Sequence, residues 1–238
     1  MDIDLHSKVV AVTGAAGNLG QAVAAAVRTR GASMALFDRS TDRLAELFPE
    51  LVGSSDHLFV TGVDSTNLDS VKTGVAKVIE RFGRIDVLIN LVGGFKPGAA
   101  LHETPVEMLD FLLNLNMRTL FNACQAVIPS MLAHGSGKII GVAARRGLKG
   151  TANNAADSAA KSAVIRMIES MADELRSSNI NVNCVIPGTL DTPQNRQGQV
   201  GDPGKFVQPE SIADVIVFLC SEMARDIHGV TLPVYGLT

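Results

Sequence analysis

Short apolar runs closed by glycine or proline alternate along this chain with longer stretches whose apolar residues recur three to four positions apart, a pattern that predicts strands alternating with helices. Residues 8–13 (KVVAVT) form the first such run, stopped by Gly14; residues 19–30 then follow at helical period until Gly31 ends them. Residues 33–37 predict a second strand and 58–61 a third. Val71, Val75, Val78, Ile79 and Phe82 share one face of a helix over 68–82, closed by Gly83, and 85–89 predict the fourth strand. A long apolar helix is expected from about 106 to 133, with Pro129 bending or shortening its last turn. A fifth strand follows at 138–143, a helix at about 153–178 with Val164, Ile168, Met171 and Leu175 on one face, and a sixth strand at 180–186 closed by Pro187-Gly188. A last helix near 209–221 precedes a short strand at 230–234.

Strands joined by helices of this length require right-handed crossovers, so the pattern predicts an α/β fold: a doubly wound, mostly parallel sheet covered on both faces. No linker, repeat or low-complexity tract divides the chain, and residues 1–238 are expected to form a single domain. The segment 189–208, rich in Gly, Pro, Gln and Asn, lies past the C-terminal end of the sixth strand, where open α/β sheets bind ligands; it predicts a substrate-covering loop.

Composition narrows the function. The chain is 46% hydrophobic and 19% charged, which excludes a disordered segment, and its net charge of −3 is spread out, without the basic stripe of a nucleic-acid reader. No stretch has the roughly 18 consecutive apolar residues of a membrane span, and the start of the chain lacks the basic flank and apolar run of a secretory signal, so no membrane association and a cytoplasmic location are expected. Cys124, Cys184 and Cys220 are too far apart for a zinc site and odd in number, which suits small core residues; the five histidines are equally scattered, and no metal is expected.

The candidate chemistry begins at Thr13-Gly14-Ala15-Ala16-Gly17-Asn18-Leu19-Gly20, a glycine-bearing turn between the first strand and a helix. Such a turn lets a pyrophosphate approach the backbone at a helix N-terminus, the device of a Rossmann-type dinucleotide-binding domain. Asp38, at the end of the second strand, is placed to accept hydrogen bonds from a ribose 2′-OH and to repel a 2′-phosphate, which favours NAD over NADP although Arg39 opposes it. The alternative for Asp38-Arg39-Ser40 is a helix cap.

With these residues the chain resembles the short-chain dehydrogenase/reductase family over about residues 8–235. Thr13 to Gly20 is similar to its T-G-x-x-G-x-x-G cofactor loop; Asp64 matches the acidic residue that holds the adenine amino group; Asn90-Leu91-Val92-Gly93 stands in place of N-N-A-G. Asn116 matches the Asn that supports a proton-relay water, its alternative being a polar residue bonded to a backbone carbonyl. Pro187-Gly188-Thr189-Leu190-Asp191-Thr192 resembles the element that holds the nicotinamide carboxamide. The resemblance thus implies cofactor contacts from Gly14, Gly17, Asn18, Leu19, Gly20, Asp38, Arg39, Asp64, Asn90, Gly93, Lys161, Pro187, Gly188, Leu190 and Thr192, and hydride transfer with a small-molecule carbonyl or alcohol.

Two catalytic positions depart from the family. Where it has Y-x-x-x-K this chain has Asp157-Ser158-Ala159-Ala160-Lys161, which keeps the lysine and replaces the tyrosine by Asp157. The family's substrate-orienting serine corresponds to Ala144. A carboxyl starts near about 3.9, and neighbouring cations are expected to push it lower, leaving an acceptor with no proton to give. Asp157 and Lys161, four apart on a helix, are expected to pair if neither is catalytic. Three readings stay open: an oxidoreductase with altered proton delivery through Asn116, Lys161 and Asp157; a redox-inactive cofactor-binding sensor or scaffold; and a non-redox enzyme using Asp157 as base, with Arg145 or Arg146 neutralising an acidic substrate. The Arg145-Arg146 pair is otherwise expected to be solvated. Phe111, Leu112, Met117, Leu120, Phe121, Val164, Ile165, Met167, Ile168 and Met171 exceed what one face against a sheet needs, and they predict a homo-oligomer, dimer or tetramer.

Overall fold

A computed structural model describes residues 3–198 and 201–238. Seven strands form one parallel sheet in the order β3-β2-β1-β4-β5-β6-β7: β1 (Val9–Thr13), β2 (Ser33–Phe37), β3 (His57–Val60), β4 (Val87–Asn90), β5 (Gly137–Val142), β6 (Ile180–Pro187) and β7 (Thr231–Val234). The helices are α1 (Asn18–Arg28), α2 (Arg43–Leu47), α3 (Leu68–Phe82), α4 (Val106–Leu113), α5 (Thr119–His134), α6 (Ala155–Leu175), α7 (Pro193–Gln197) and α8 (Pro209–Cys220).

Both faces of the sheet are covered, which is why its strands read as continuous apolar runs. Val9 and Ala11 of β1 point into a core shared with α3, α5 and α6, whereas Val10 and Val12 point into the opposite core with α1 and α8. Local chemistry sets the helix ends. Asn67 caps α3 by accepting from the Ser70 N–H at 3.0 Å, and Gly83 ends it in the left-handed region at φ 79°.

Chain order reverses between β1 and β4, so the loops after these strands open a crevice at the carboxyl edge of the sheet. The two strands are in register at Thr13 and Asn90, and Thr13 Oγ1 donates to Asn90 Oδ1 at 2.8 Å.

Three expectations change. The long helix is interrupted by a wider π-type turn at Asn114–Arg118, while Pro129 lies inside α5, which runs on to His134. The excess apolar face largely vanishes: Leu112, Leu120, Val164, Ile165, Ile168 and Met171 are buried against the sheet and between helices, and only Phe111 and Phe121 of that set are exposed. The segment 189–208 is also more ordered than its composition suggests. Val207 N–H donates to Thr189 O and Asp191 N–H to Val207 O, both at 2.8 Å, and the Asp191 carboxylate binds Arg196 and Gln208. These bonds hold Asp191 down at about 2. Residues 199 and 200 of this segment lie outside the described residues.

Candidate active site

Two cavities open at the carboxyl edge. The first, about 360 Å³, is lined by Gly14, Gly17, Asp38, Arg39, Asp64 and Gly93, together with Leu115 and Thr119, which the sequence did not single out. Gly14 turns the chain at φ 68°, and a Cβ there would lie 3.1 Å from the Val92 nitrogen, so the loops after β1 and β4 pass too closely for a side chain. Gly20 lets α1 pack on this turn, since a Cβ there would meet Gly14 O at 2.3 Å. Asn18 and Leu19 stand in the first turn of α1; the Asn18 side chain donates to Gln194 Oε1 at 2.9 Å and ties this turn to α7. Asn90 does not line the cavity, because its side chain is the buried joint to Thr13. Asp38 Oδ1 accepts from the Ser40 N–H at 2.9 Å, a local turn that engages only one of its oxygens. Asp64 caps its own turn in the same way, through the N–H and hydroxyl of Thr66.

Between the cavities lies a buried polar cluster. Asn116, on the π-type turn, accepts on one oxygen from Lys161 Nζ at 2.7 Å and from the Gly94 N–H at 2.9 Å, while its Nδ2 donates to Leu112 O. Asn116 thus reaches a backbone carbonyl and also holds the lysine. Gly93 must be small here, because a Cβ would sit 2.9 Å from Asn116 Oδ1 and 3.6 Å from Lys161 Nζ. Burial pushes the Lys161 ammonium below its ordinary value, with the neighbouring Asp157 opposing the shift.

Asp157 is where the structure corrects the sequence most. It is 2% exposed, neither carboxylate oxygen has a hydrogen-bond partner, and its nearest cation is Arg146 Nη1 at 3.6 Å, within ion-pair reach but beyond hydrogen-bond length. Lys161 is bonded to Asn116, and the expected Asp157–Lys161 contact is absent among the described ion pairs. Burial therefore raises the Asp157 carboxyl, and Lys161 and Arg146 only oppose it. The expected downward shift fails because desolvating a carboxylate without donors costs more than Arg146 at 3.6 Å and the non-contacting Lys161 return.

The second cavity, about 640 Å³, brings Ala144, Pro187, Gly188 and Leu190 together with Phe95, Lys149 and Thr238. Arg145 and Arg146 line it too and are not a simple solvated pair. Arg146 lies over the Phe95 ring at 4.4 Å, and Arg145 lies over Tyr235 at 4.7 Å and donates to Thr238 O at 3.1 Å. Thr192 stands behind this wall as the buried cap of α7, accepting from the Asn195 N–H. Phe95 and Lys149 carried no signal in the sequence, since a lone aromatic after a glycine pair and a lone lysine look like surface.

All three cysteines are buried, with their thiols pushed up to about 12 by desolvation. Among the described residues no cluster could hold a metal, and no helix is long and apolar enough to cross a membrane.

The chain is similar to known proteins over nearly all of its length. The short chain dehydrogenase family matches residues 8–200. The 3-oxoacyl-(acyl-carrier-protein) reductase FabG of Thermotoga maritima is 32% identical over 98% of this chain and 98% of its own. The 2-(R)-hydroxypropyl-CoM dehydrogenase of Xanthobacter autotrophicus is also 32% identical, over 97% and 98%. An NAD+-bound xylitol dehydrogenase superposes with a TM-score of 0.90 at 27% identity, covering 98% of this chain and 99% of that one. A gluconate 5-dehydrogenase from Burkholderia cenocepacia, solved with NADP and tartrate, superposes at 0.89 with 25% identity, over 98% and 95%. The family model covers most of the chain and relatives above 30% identity match it over nearly its full length, so the chain belongs to the short-chain dehydrogenase family.

Proposed function

We propose that this protein is a nicotinamide-dependent oxidoreductase that moves hydride between NAD(H) and a small carbonyl or alcohol, with proton delivery rebuilt around Lys161, Asn116 and Asp157. The bond from Lys161 to Asn116 at 2.7 Å, directly beneath Gly93, carries the reading. It keeps a buried ammonium beside the cavity that the cofactor loop lines, on a helix whose Ser162 ties it to the turn lining the second cavity.

The residues present fit a dinucleotide. Gly14 and Gly17 leave bare backbone on the cavity wall, Gly14 at a positive φ that disfavours a side chain, the start of α1 borders the same crevice, and Asp38 has an oxygen to spare for a 2′-OH. Asp64 would serve the adenine, and Pro187, Gly188, Leu190 and Thr192 the carboxamide. When bound, the nicotinamide supplies or takes up the hydride. The chain's own residues manage the proton. Lys161, made more acidic by burial, would give a proton to a water beside Asn116 and so to the carbonyl oxygen as it gains charge; Asp157, which makes no contact with the lysine, would act on this step only through the charge it places nearby. Ala144 offers that oxygen no hydroxyl. Three buried thiols suit a reducing, cytoplasmic setting. Exposed Phe111 and Phe121 support a homo-oligomer.

The test is NADH oxidation with a panel of aldehydes and ketones, alongside calorimetric NADH binding. Turnover that Lys161→Met abolishes while NADH still binds is the expected result. The sealed Asp157 carboxylate favours one other reading, a redox-inactive cofactor-binding protein, and NADH binding without turnover across the panel would establish it.

A further inference from the structure

Resting on that reading of the site, we infer that the second cavity selects a substrate bearing an anionic group, carboxylate or phosphate, anchored by Arg145 and Lys149 with Arg146 behind them. The cavity wall carries these three cations and no acidic residue. The carboxylates nearby are already committed: Asp191 to Arg196 and Gln208, and Asp157 behind Arg146.

The cations are held for a ligand rather than for each other. After Ala144 the chain makes one tight helical turn, closed by Gly147 N–H to Ala144 O at 2.8 Å and Lys149 N–H to Arg145 O at 3.3 Å, which returns Lys149 over Arg145. Stacking on Tyr235 and a single hydrogen bond to Thr238 O fix the Arg145 guanidinium, and most of its donors remain open. Arg146 is fixed between Phe95 and Asp157 and makes no hydrogen bond to either. Lys149 has no ion pair or side-chain hydrogen bond among the described residues. Asp157 partly offsets Arg146 and Thr238 O takes one donor of Arg145, so the three cations exceed the groups that face them, and an anion in the cavity would relieve the remaining repulsion.

The replacement at Ala144 supplies the reason for such an anchor. A methyl group there cannot orient a carbonyl by hydrogen bonding, so the substrate has to be positioned by a group remote from the reacting carbon. A charge-assisted, forked contact from arginine to a carboxylate or phosphate does this with direction as well as strength.

The experiment uses matched pairs on the NADH-loaded protein, with binding followed by ligand-observed NMR: acetoacetate against its methyl ester, and dihydroxyacetone phosphate against dihydroxyacetone. At least one anion is expected to bind at millimolar concentration, its neutral partner to bind far more weakly, and added salt to weaken the anion. The preferred pair identifies carboxylate or phosphate as the group. Arg145→Gln and Lys149→Gln should each loosen the anion about 10-fold or more, while NADH binding, measured in the same samples, reports that each variant is folded. Equal binding of charged and neutral partners, binding by neither anion, or no effect of either substitution would overturn the inference. Anion binding without turnover of any substrate overturns the redox reading and leaves this one standing. Turnover of neutral ketones with no preference for anions does the reverse.

Discussion

Asp157 and Arg146 face each other across 3.6 Å, an ion pair in reach but not a hydrogen bond, and the carboxylate has no other partner for either oxygen. Burial raises its pKa, so the folded value lies above the unfolded one. The stability contributed by this group is complete below the unfolded value, near 3.8, and is lost as pH rises through the folded value. Asp157→Asn, which cannot ionise, should therefore melt higher than the parent at neutral pH, and the gap should close on acidification. Thermal melts of both proteins over the acid to neutral range measure this. A parent more stable at every pH would show instead that the charge is a net asset to Arg146.

Asn116 is the hub of the polar cluster, and its removal should be costly. Asn116→Ala strands the Gly94 N–H and the Lys161 ammonium, which now share Oδ1, and frees the Leu112 carbonyl from Nδ2. Unpaired buried groups of this kind cost about 1–3 kcal/mol each, so a loss of roughly 2–5 kcal/mol is expected in urea unfolding. Asn116→Asp should fold better than the alanine variant, because its carboxylate still accepts from both donors. It should also drive the Lys161 pKa back up, which the pH dependence of lysine modification reads directly.

The fold was legible because burial on both sheet faces leaves an unmistakable mark, runs such as Val9–Thr13 and Ile180–Pro187 with glycine or proline at their ends. The glycines of the first turn were legible too, since only backbone needs dictate them. What escaped was set by neighbours distant in the chain. Nothing local says that Asp157 will be sealed under Arg146, that Lys161 will choose Asn116 over the carboxylate four residues away, or that Phe95 will stack on Arg146. The apolar face read as an interface is narrower than the sequence suggests for the same reason. Helical period shows which side chains share a face and cannot tell a second helix from a second subunit; most of those residues are covered from within the chain.

The proposed preference for NAD(H) rests on Asp38. It lines the first cavity beside Arg39, and Ser40 occupies only one of its oxygens. NAD(H) should bind more tightly than NADP(H), because the free oxygen accepts from a 2′-OH and repels a 2′-phosphate. Asp38→Ser removes the repulsion and keeps a short polar side chain, so with Arg39 in place the preference should narrow by about 10-fold or more. Calorimetric titration of both proteins with both cofactors decides the matter. Tighter NADP(H) binding by the parent would mean that Arg39 governs the site.

Introducing a serine and a tyrosine at the two positions where the family resemblance expects them separates an altered reductase from a retired one. Ala144→Ser places a hydroxyl on the wall of the second cavity, and Asp157→Tyr places a phenol on the helix that carries Lys161. A phenol is a better match than the carboxyl of Asp157 for donating a proton to an oxygen that gains charge, and the lysine held by Asn116 would lower the phenol's pKa as a neighbouring cation does. The ring must displace Arg146 from its seat over position 157, and so the Phe95 stacking should be lost as well. If hydride transfer already operates in this pocket, the double variant should reduce carbonyls about 10²–10⁴-fold faster than the parent, the range of a positioned general acid. Either single variant should give less than its share, because the hydroxyl and the phenol act on one oxygen and their effects are coupled. Since Arg146 is displaced, the gain should be larger for neutral ketones than for anionic ones, a bias that the anion-binding inference requires. A double variant that binds NADH with parental affinity and reduces nothing would remove hydride transfer from this site.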